Sequence, residues 1–411
     1  MTTSGPIPKA GRAGARRGGG GPAVCMIAYT TYERDARVIR EAEAAARNGY
    51  RVDLITPRRK GERARETINA VNVRRIWPRP YKGAAPVRYL MSYGLFLLGC
   101  LARTAVLDVR RRYRVVHVNN MPDILVFAAL GPRLRGAGII LDIHDPVPET
   151  YVAKFEGARR GVFYRLLLGL ERMCAAFAHR VLTVHEPVKT DILVPDGIPA
   201  EKITVVANFP DGDVFRVVDP PVLDGPVRMI YYGTVSARFG LTEVLEAIAR
   251  VRGRDRLRLR IVGDGDLAGS LKREIRDLGL EGIVDFDNRS YPLGRIPALA
   301  GAHHLGLVPY RPSPATRYML PVKLLELTAM GIPAITVANV PIRHYFEEGS
   351  FFLYDNARIG SLTEVVEGIL DRPAVLAEKR RTILRNRDKY LWDAERRKYL
   401  EVLGDLAEGG R

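Results

Sequence analysis

The chain has 411 residues, enough for two domains that each bury a core of their own. Its hydrophobic content of 47% and charged content of 27% are those of an ordinary folded protein, and three widely separated cysteines imply neither a disulfide framework nor a zinc site. The net charge of +18 favours anionic partners such as phosphates or an anionic membrane surface, although a generally basic surface would give the same total. No zinc-finger, RNP or clear helix-turn-helix pattern is present, so nucleic acid is not an expected partner.

Residues 1–22 are rich in Gly, Pro and Arg and contain almost nothing to bury, which predicts a disordered basic tail. This tail could rest on acidic lipid or be an inert extension. It lacks the apolar core of a signal peptide, so secretion is not expected, and the predicted location is cytoplasmic.

Residues 23–208 are predicted to form a Rossmann-like N-terminal domain. An apolar strand over 23–29 is followed by helical spacing over 35–48 and a second strand over 51–56, which is a βαβ start. Further strands beside helix-like segments are predicted over 115–119, 139–143 and 180–184. This alternation is typical of a parallel sheet covered on both faces.

The segment 89–107 interrupts that alternation, because it is strongly apolar over almost the length that spans a bilayer. Arg103 lies inside it and three arginines follow at 110–112. Three interpretations are open: a transmembrane helix, a helix lying at the membrane interface, and a buried core helix. The interfacial helix is preferred, because spanning would remove a helix from the middle of the domain, and it predicts a peripheral position on the inner face of the cell membrane.

A Pro-, Asp- and Gly-rich stretch over 209–226 predicts a linker. A second series of strands and helices then predicts a Rossmann-like C-terminal domain over 227–385. Its strands are expected over 227–232, 257–262, 283–286, 304–309 and 334–337, and its first helices over 241–252 and 269–278. Residues 386–411 are predicted as a C-terminal helix that could pack back on the N-terminal domain.

The segment 311–337 has the order of an anion-binding element: a turn-rich loop, a helix and a β-branched strand. Pro321 suits the first turn of a helix, so free backbone amides and the helix N-terminus would face the end of the loop. Lys323 would stand at this end, with Glu326 further along the same helix. An amide pocket for phosphate with one acid for a sugar hydroxyl suits a nucleotide sugar. The alternative for the two charges is an ordinary i,i+3 surface pair.

Other candidate residues follow predicted strands. Gly233 would let the backbone approach a pyrophosphate, and Arg238 could add a bidentate charge to it, although a tight turn and a solvated arginine are the alternatives. Gly263 and Gly265 form a short phosphate-loop-like pattern or an ordinary strand-to-helix turn. His144 follows a predicted strand and could transfer a proton or donate a hydrogen bond, since an imidazole titrates near neutrality, although a lone histidine is often structural.

Several segments in this order resemble the retaining glycosyltransferases with a GT-B fold, the glycosyl transferases group 1 of family 4, in their LPxKLLE subgroup. The resemblance extends from residue 24 to about 403. The segments are ERDARVIREA over 33–42, LDIHDPVPE over 141–149, 171–184, VVANFP over 205–210, YGTVSARFGL over 232–241, IVGDG over 261–265, and 311–337. Each is weak alone, but their order is specific.

The resemblance implies two Rossmann-like domains that face each other across a cleft. It implies an enzyme, a hexosyl- or related transferase, that moves a sugar from a UDP- or GDP-sugar to a glycan or lipid-linked acceptor with retention of anomeric configuration. No metal and no cofactor besides this co-substrate are expected. Catalytic roles would fall to His144, Arg238 and Lys323. Donor contacts would come from Gly233, Thr234, Gly263, Gly265, Asn288, Arg289, Leu320, Pro321, Val322 and Glu326, and the acceptor would approach Asp145 and Glu149.

The chain departs from the family pattern at one point. Eight residues before Glu326, where the family's E-x7-E motif has its first acid, stands Tyr318. The preceding RPSPATR over 311–317 contains no carboxylate, whereas the subgroup has acids there. Either sugar recognition is altered, or activity is weak or lost. A sugar-nucleotide epimerase or hydrolase of the same fold and a catalytically impaired GT-B binding protein are the alternative functions.

Overall fold

The computed structural model describes residues 21–77, 86–154, 161–358 and 360–409. They fall into two bodies: an N-terminal body, made of the described residues up to Asn208 together with 395–409, and a C-terminal body, Phe209–Ala394. The predicted basic tail lies outside the described residues except for Gly21 and Pro22.

The N-terminal body is built on an eight-stranded sheet in the order β3-β4-β2-β1-β5-β6-β7-β8, parallel except for β3 against β4. The inner strands β1, β5 and β6 are buried along their whole length, as continuous apolar runs require in a sheet covered on both faces. The strands are β1 Ala23–Ala28, β2 Arg51–Pro57, β3 Arg65–Ile68, β4 Val71–Ile76, β5 Val115–Asn119, β6 Gly138–Ile143, β7 Arg180–Thr183 and β8 Ile203–Val205.

Helices connect these strands. The first begins after Asp35, whose carboxylate accepts the Val38 amide as an N-cap, and ends before Gly49, which has a positive φ. The helices are α1 Ala36–Arg47, α2 Pro86–Arg111, α3 Leu130–Leu134, α4 Val147–Lys154, α5 Val162–Phe177 and α6 Glu186–Val188, and a 3-10 segment Asp123–Ala129 precedes α3.

The apolar segment predicted over 89–107 lies in α2. This is the one helix among the described residues that is long and apolar enough to cross a membrane, over Leu90–Arg111, and only 22% of its most apolar window is buried. A stripe at i,i+4 spacing, which includes Phe96, Cys100 and Thr104, is buried in the body. The helix is therefore anchored along one face and is not enclosed as a core helix would be.

The C-terminal body has a six-stranded, wholly parallel sheet in the order β11-β10-β9-β12-β13-β14. Its strands are β9 Val227–Tyr232, β10 Leu257–Val262, β11 Val284–Asp287, β12 Leu305–Val308, β13 Ala334–Val337 and β14 Phe352–Tyr354. Its helices are α7 Leu241–Arg250, α8 Ala268–Asp277, α9 Ile296–Gly301, α10 Pro314–Arg317, α11 Val322–Met330, α12 Val340–Tyr345, α13 Ser361–Asp371 and α14 Val375–Asn386. The last helix, α15 Trp392–Gly409, belongs to the N-terminal body from Glu395 onward.

Two boundaries differ from the sequence prediction. The 209–226 stretch contains no helix or strand, but it is more than a linker, because Phe209 and Phe215 are buried in the C-terminal body. Residues 386–411 are not one helix: α14 ends at Asn386, a 3-10 turn follows, and α15 begins at Trp392. The turn forms because the Tyr390 side chain is buried, with its hydroxyl donating to Tyr345 O at 2.6 Å.

The order of the C-terminal strands fixes where its ligand site can lie. The chain runs outward from β9 through β10 to β11, and then returns to β12 on the other side of β9. In a parallel sheet, such a reversal opens a crevice at the carboxyl ends of the two central strands. The loops that follow β9 and β12 both end at this crevice.

Candidate functional site

Three loops at the carboxyl edge of the C-terminal sheet are held together by their backbones. The Gly233 amide donates to Val262 O at 2.8 Å, and the Gly263 amide donates to Asp287 O at 3.0 Å. Gly263 has φ +155°, and a Cβ there would lie 1.8 Å from Gly233 O. A Cβ on Gly265 would lie 2.1 Å from Val235 O. Glycine is therefore required at both positions because two backbones touch.

Lys323 is the central side chain of the crevice. Its Nζ lies 4.4 Å from the ring centre of Tyr231 and 4.3 Å from that of Phe239, with the Tyr231 hydroxyl oxygen 3.2 Å away. Gly233 makes room for it, since a Cβ at residue 233 would lie 2.3 Å from Lys323 Cε. Burial lowers the pKa of Lys323 to about 7; Glu326 opposes the shift and Arg238 adds to it.

The N-terminus of α11 supplies free donors beside this lysine. Pro321 precedes the nine-residue helix and has no amide hydrogen. The amides of Leu320, Val322 and Lys323 donate to no acceptor among the described residues. Unpaired amides and the positive end of the helix dipole favour an anion at this point.

Glu326 lies one turn further along α11. Its residue is only 6% exposed, so it is not the solvent-facing glutamate of a surface i,i+3 pair. The Tyr232 hydroxyl donates to Glu326 Oε2 at 2.9 Å and lies 3.3 Å from Lys323 O. A tyrosine at the end of β9 therefore orients the carboxylate that the sequence assigned to a sugar hydroxyl.

Arg238 and Thr234 occupy the loop after β9, and both are exposed. The Arg238 guanidinium lies 5.1 Å from the Phe239 ring centre and forms no ion pair with a described residue. Its backbone is fixed, because Arg238 O accepts the Arg311 amide at 3.0 Å. An arginine without a carboxylate partner at the rim of the crevice is available to a phosphate.

Arg289 is engaged within its own loop. Its guanidinium donates to both carboxylate oxygens of Asp287, at 2.6 and 3.0 Å. These hydrogen bonds lower the pKa of Asp287 to about 2. The neighbouring Asn288 is exposed. The Arg289 side chain is thus held within its own loop, and this loop borders the crevice through the hydrogen bond from the Gly263 amide to Asp287 O.

The loop over 311–319 contains no carboxylate, as the sequence indicated. It forms the single-turn helix α10, capped by Ser313 through a capping box with Thr316. The Asn339 side-chain amide donates to Thr316 O at 3.0 Å and to Met319 O at 2.6 Å, which fixes the approach to α11. Tyr318 is half-buried beneath the Arg317 guanidinium, which lies 5.5 Å from its ring centre.

His144 stands at the carboxyl end of β6, in the N-terminal body. Its amide donates to Asn120 Oδ1 at 3.2 Å, and its Nδ1 lies 4.0 Å from Asp142 Oδ2 without a hydrogen-bond partner. The imidazole is half-exposed, while Asp142 is fully buried beneath it. Nδ1 is thus held above a carboxylate, and the rest of the ring is partly open to solvent.

The two predicted acceptor residues follow His144. Asp145 is exposed, and its carbonyl oxygen accepts the Asn120 side-chain amide at 2.8 Å. Glu149, on α4, is half-buried and accepts a long hydrogen bond of 3.5 Å from the Tyr164 hydroxyl. Of the two, Asp145 presents the more accessible carboxylate.

Below His144 lies a buried set of ionisable groups. Ligand atoms of Glu41, His117 and Asp142 approach within 4.8 Å of one another, a spacing that could hold a metal ion. Arg37 already provides a cation there, with its Nε 2.6 Å from Asp142 Oδ2 and 3.3 Å from Glu41 Oε1. Burial opposes ionisation of Asp142, but Arg37 lowers its pKa to about 2. Burial lowers the pKa of His117 to about 4, so its ring is neutral.

Sequence reasoning missed the aromatic contacts of the site. Tyr231 and Phe239 flank the Lys323 ammonium, and Tyr232 binds Glu326. The available signal was two tyrosines at the end of a predicted strand, where ligand-facing side chains occur. The predicted residues of the C-terminal body share one sheet edge, and His144, Asp145 and Glu149 lie together in the N-terminal body.

Comparison with known families covers most of the chain. A family model described as Glycosyl transferase 4-like domain matches residues 35–208, and one described as Glycosyl transferases group 1 matches residues 219–389. No curated protein matches the chain significantly.

Solved structures match over nearly the full length. Sucrose-phosphate synthase from Thermosynechococcus elongatus has 15% identity and a TM-score of 0.75, covering 94% of this chain and 100% of its own. Anabaena Alr3699/HepE in complex with UDP has 14% identity and a TM-score of 0.69, covering 93% and 99%. The lipopolysaccharide outer core galactosyltransferase WaaB has 16% identity and a TM-score of 0.63, covering 95% and 100%. At such identities the likeness establishes the fold.

Proposed function

The chain belongs to the group 1 glycosyltransferases and has their GT-B fold of two Rossmann-like domains, and from this premise we propose that it transfers a sugar from a nucleoside diphosphate sugar to a glycan or lipid-linked acceptor. The proposal includes retention of configuration at the anomeric carbon. It also includes a reaction in which protein cations, rather than a metal ion, stabilise the departing diphosphate.

One observation carries the donor assignment: Lys323, between two aromatic rings, lies at a helix N-terminus with free amides. Burial lowers the pKa of this lysine to about 7, because the Glu326 carboxylate only partly offsets the loss of water around the ammonium group. A diphosphate would supply a further anion. Glu326 lies on the same helix as Lys323 and is hydrogen-bonded by Tyr232, and its carboxylate would accept hydrogen bonds from the ribose hydroxyls of the donor. Anabaena Alr3699/HepE, solved with UDP and with UDP-glucose, has a similar fold, which supports this class of donor.

The proposed chemistry follows from where charge develops. The bond from the anomeric carbon to the diphosphate oxygen breaks, a bond to the acceptor oxygen forms on the same face, and the acceptor proton passes to the leaving phosphate. Arg238, Lys323 and the α11 amides stabilise the negative charge as it accumulates. His144 hydrogen-bonds the sugar or the leaving phosphate, and Asp145 or Glu149 receives the acceptor.

The donor assignment is tested by calorimetry with UDP and GDP on the full chain. Lys323→Met removes a charge-assisted contact and weakens binding of the preferred nucleotide by about tenfold or more. Glu326→Gln keeps an oxygen for Tyr232 but loses the carboxylate, and it weakens binding of the nucleotide more than binding of inorganic pyrophosphate. Lys389→Met and Glu348→Ala are matched controls at exposed positions of the same body and leave affinity unchanged.

The outcome that contradicts the assignment is equal affinity in Lys323→Met and the unmodified chain. Transfer itself is tested with a panel of UDP- and GDP-sugars and a membrane extract as acceptor, with nuclear magnetic resonance to read the anomeric configuration of the product. An inverted product would overturn retention.

A second candidate function rests on Tyr318, which stands where relatives have a carboxylate beside the donor sugar. A protein that binds the nucleotide but transfers no sugar from any donor in the panel would be the catalytically impaired relative. Binding together with epimerised or hydrolysed donor would instead favour the epimerase or hydrolase.

We also propose a cytoplasmic location on the inner face of the cell membrane, where a lipid-linked acceptor would be found. The support is the net charge of +18 and the long apolar helix α2. The fold it shares with WaaB, which acts on the lipopolysaccharide outer core, is compatible with an acceptor in the cell envelope.

A further inference from the structure

The helix α2 exposes an apolar stripe opposite its anchored face. Leu98 is 62% exposed and Val109 is 71% exposed, with Met91, Leu95 and Val106 on the same side. The anchored stripe opposite holds Ser92, Phe96 and Asp108. A surface helix normally presents polar residues on its outward side, whereas the side of α2 that the described residues leave uncovered is apolar.

The helix α5 repeats this arrangement. Val162 is 85% exposed and Leu166 is 64% exposed, with Phe163 and Met173 also outward. Glu171, Cys174 and Ala175 form the buried side. Two helices of one body therefore expose leucine, valine and methionine where a surface helix normally carries charge.

Both stripes lie on the same face of the N-terminal sheet. The connections from β4 to β5, from β5 to β6 and from β6 to β7 all move in one direction across the sheet, and right-handed crossovers place them on one side. Contacts agree with this, because the 3-10 segment packs against both α2 and α5. We call the outward stripes of α2 and α5 the platform.

The charges of the platform have one sign. The only acids on α2 and α5 are Asp108 and Glu171, which are 2% and 1% exposed. Arg88, Arg110 and Arg165 are exposed and form no ion pair with a described residue. The exposed charged residues of α8, in the C-terminal body, are by contrast of both signs, with Lys272, Arg273 and Asp277 among them.

We propose that the platform docks on the surface of an anionic lipid bilayer, with its apolar stripes at the headgroup–acyl boundary and its arginines on lipid phosphates. A second copy of the chain fits less well, because it would bring arginines against arginines. Spanning fits less well too, because α2 would have to leave the body in which the Ser92 hydroxyl lies 2.6 Å from the Tyr29 hydroxyl. The inference specifies the membrane contact of the proposed function, and its test does not depend on sugar transfer.

Flotation of the full chain with phosphatidylcholine vesicles, with and without phosphatidylglycerol, tests the platform. The chain floats with the anionic vesicles and is released by salt in part. The double variant Leu98→Asp with Leu166→Asp lowers the vesicle-bound fraction by about tenfold or more, because it removes apolar area and adds repelling charge. Leu293→Asp, at an exposed leucine of the C-terminal body, leaves it unchanged.

Arg110→Gln with Arg165→Gln tests the electrostatic part: it removes the preference for anionic vesicles and leaves weak binding to neutral ones. Three results would overturn the proposal. The first is equal vesicle binding by the Leu98→Asp, Leu166→Asp variant and the unmodified chain. The second is an unmodified chain that binds no vesicles but forms a dimer in solution, which this variant dissociates. The third is resistance of the bound chain to alkaline carbonate extraction, which would indicate spanning. Nucleotide affinity measured on the same variants separates a failed platform from a failed donor site.

Discussion

Lys323 shows how a single residue is held ready for a ligand. The two aromatic rings attract the ammonium group through their faces, but burial removes the water that would stabilise its charge. The net result is a pKa of about 7, so near pH 7 half of the molecules carry Lys323 as a neutral amine. Such a residue lowers the stability of the empty protein, because the unfolded chain binds its proton more tightly.

Nucleotide binding is therefore expected to take up a proton. At pH 8 Lys323 is mostly neutral in the empty site, and a diphosphate would return its pKa toward the ordinary value, so uptake approaches about one proton. At pH 6 the lysine is already charged and uptake is small. Calorimetry of UDP or GDP binding at pH 8, in buffers of different ionisation enthalpy, measures this.

Lys323→Arg is the control for proton uptake, since a guanidinium stays charged throughout this range. It should bind without buffer-dependent heat. Identical heats in all buffers for the unmodified chain at pH 8 would mean that the lysine is charged before the ligand arrives.

The same residue marks what sequence could predict about the site. Lys323 and Glu326 were identifiable because their positions follow from one helix and its first turn. Tyr231 and Phe239 were not, since a strand end and a separate turn bring them to the lysine only after the sheet has formed. The burial of Glu326 likewise depends on β9, which is distant in sequence.

At the scale of elements, Arg37 joins α1 to two strands. Its guanidinium makes two hydrogen bonds to Asp142 on β6, at 2.6 and 2.8 Å, and donates to Val206 O, just after β8, at 2.7 Å. Arg37 and Asp142 are both nearly inaccessible. The pair places Asp142 beneath His144, so the same contacts that fix α1 also support the predicted catalytic histidine.

Arg37→Met is expected to cost about 3–5 kcal/mol of stability in the N-terminal body, because Asp142 is left buried without its cation. The double variant with Asp142→Leu should recover part of this loss. Arg47→Met, on the same helix with its side chain 62% exposed, should cost less than about 1 kcal/mol. Urea unfolding measures all three, and similar losses for Arg37→Met and Arg47→Met would contradict the interpretation.

The pair also predicts a pH dependence. Arg37 lowers the pKa of Asp142 in the folded state to about 2, below its value in an unfolded chain. Between the folded and unfolded pKa values of Asp142, the unfolded state therefore binds more protons than the folded state. The stability from this pair is present above about pH 4 and is lost as the pH falls toward 2, and Asp142→Leu should remove that part of the acid transition.

Other elements differed in how well sequence predicted them. The central strands were predictable because they are uninterrupted apolar runs, buried on both faces. The antiparallel pair β3 and β4 was missed, since β3 is four residues long and alternates exposed with half-buried positions. The end of α14 was missed because it depends on where Tyr390 packs.

At the scale of the whole molecule, the chain returns to its first body after completing the second. In α15, the Tyr399 hydroxyl lies 3.1 Å from His117 Nδ1, and Glu395 accepts the Ala207 amide at 2.7 Å. Gly138 allows the close approach, since a Cβ there would lie 2.6 Å from Leu406 Cβ. The N-terminal body thus depends on residues that follow the C-terminal body in sequence.

Deletion of residues 395–411 is expected to destabilise the N-terminal body and leave UDP or GDP binding by the C-terminal body intact. Tyr399→Ala should cost about 3–5 kcal/mol, as for other large buried aromatic residues, whereas Glu401→Ala, at an exposed position of the same helix, should cost little. Calorimetric scanning of the two transitions is the measurement. Loss of nucleotide binding in the deletion variant would show that the bodies do not hold their sites independently.

The position of α15 also sets the order in which the protein can be completed during synthesis. Translation proceeds at about 5–20 residues per second and domains usually fold as they emerge, the first before the second. Here the sheet containing His117 and Gly138 stays uncovered on its α15 side until residues 395–409 have left the ribosome. The described part of the C-terminal body is one continuous stretch that ends at Ala394, so its fold does not require residues 395–409. The C-terminal body can therefore be completed without the last residues of the chain, whereas the N-terminal body cannot.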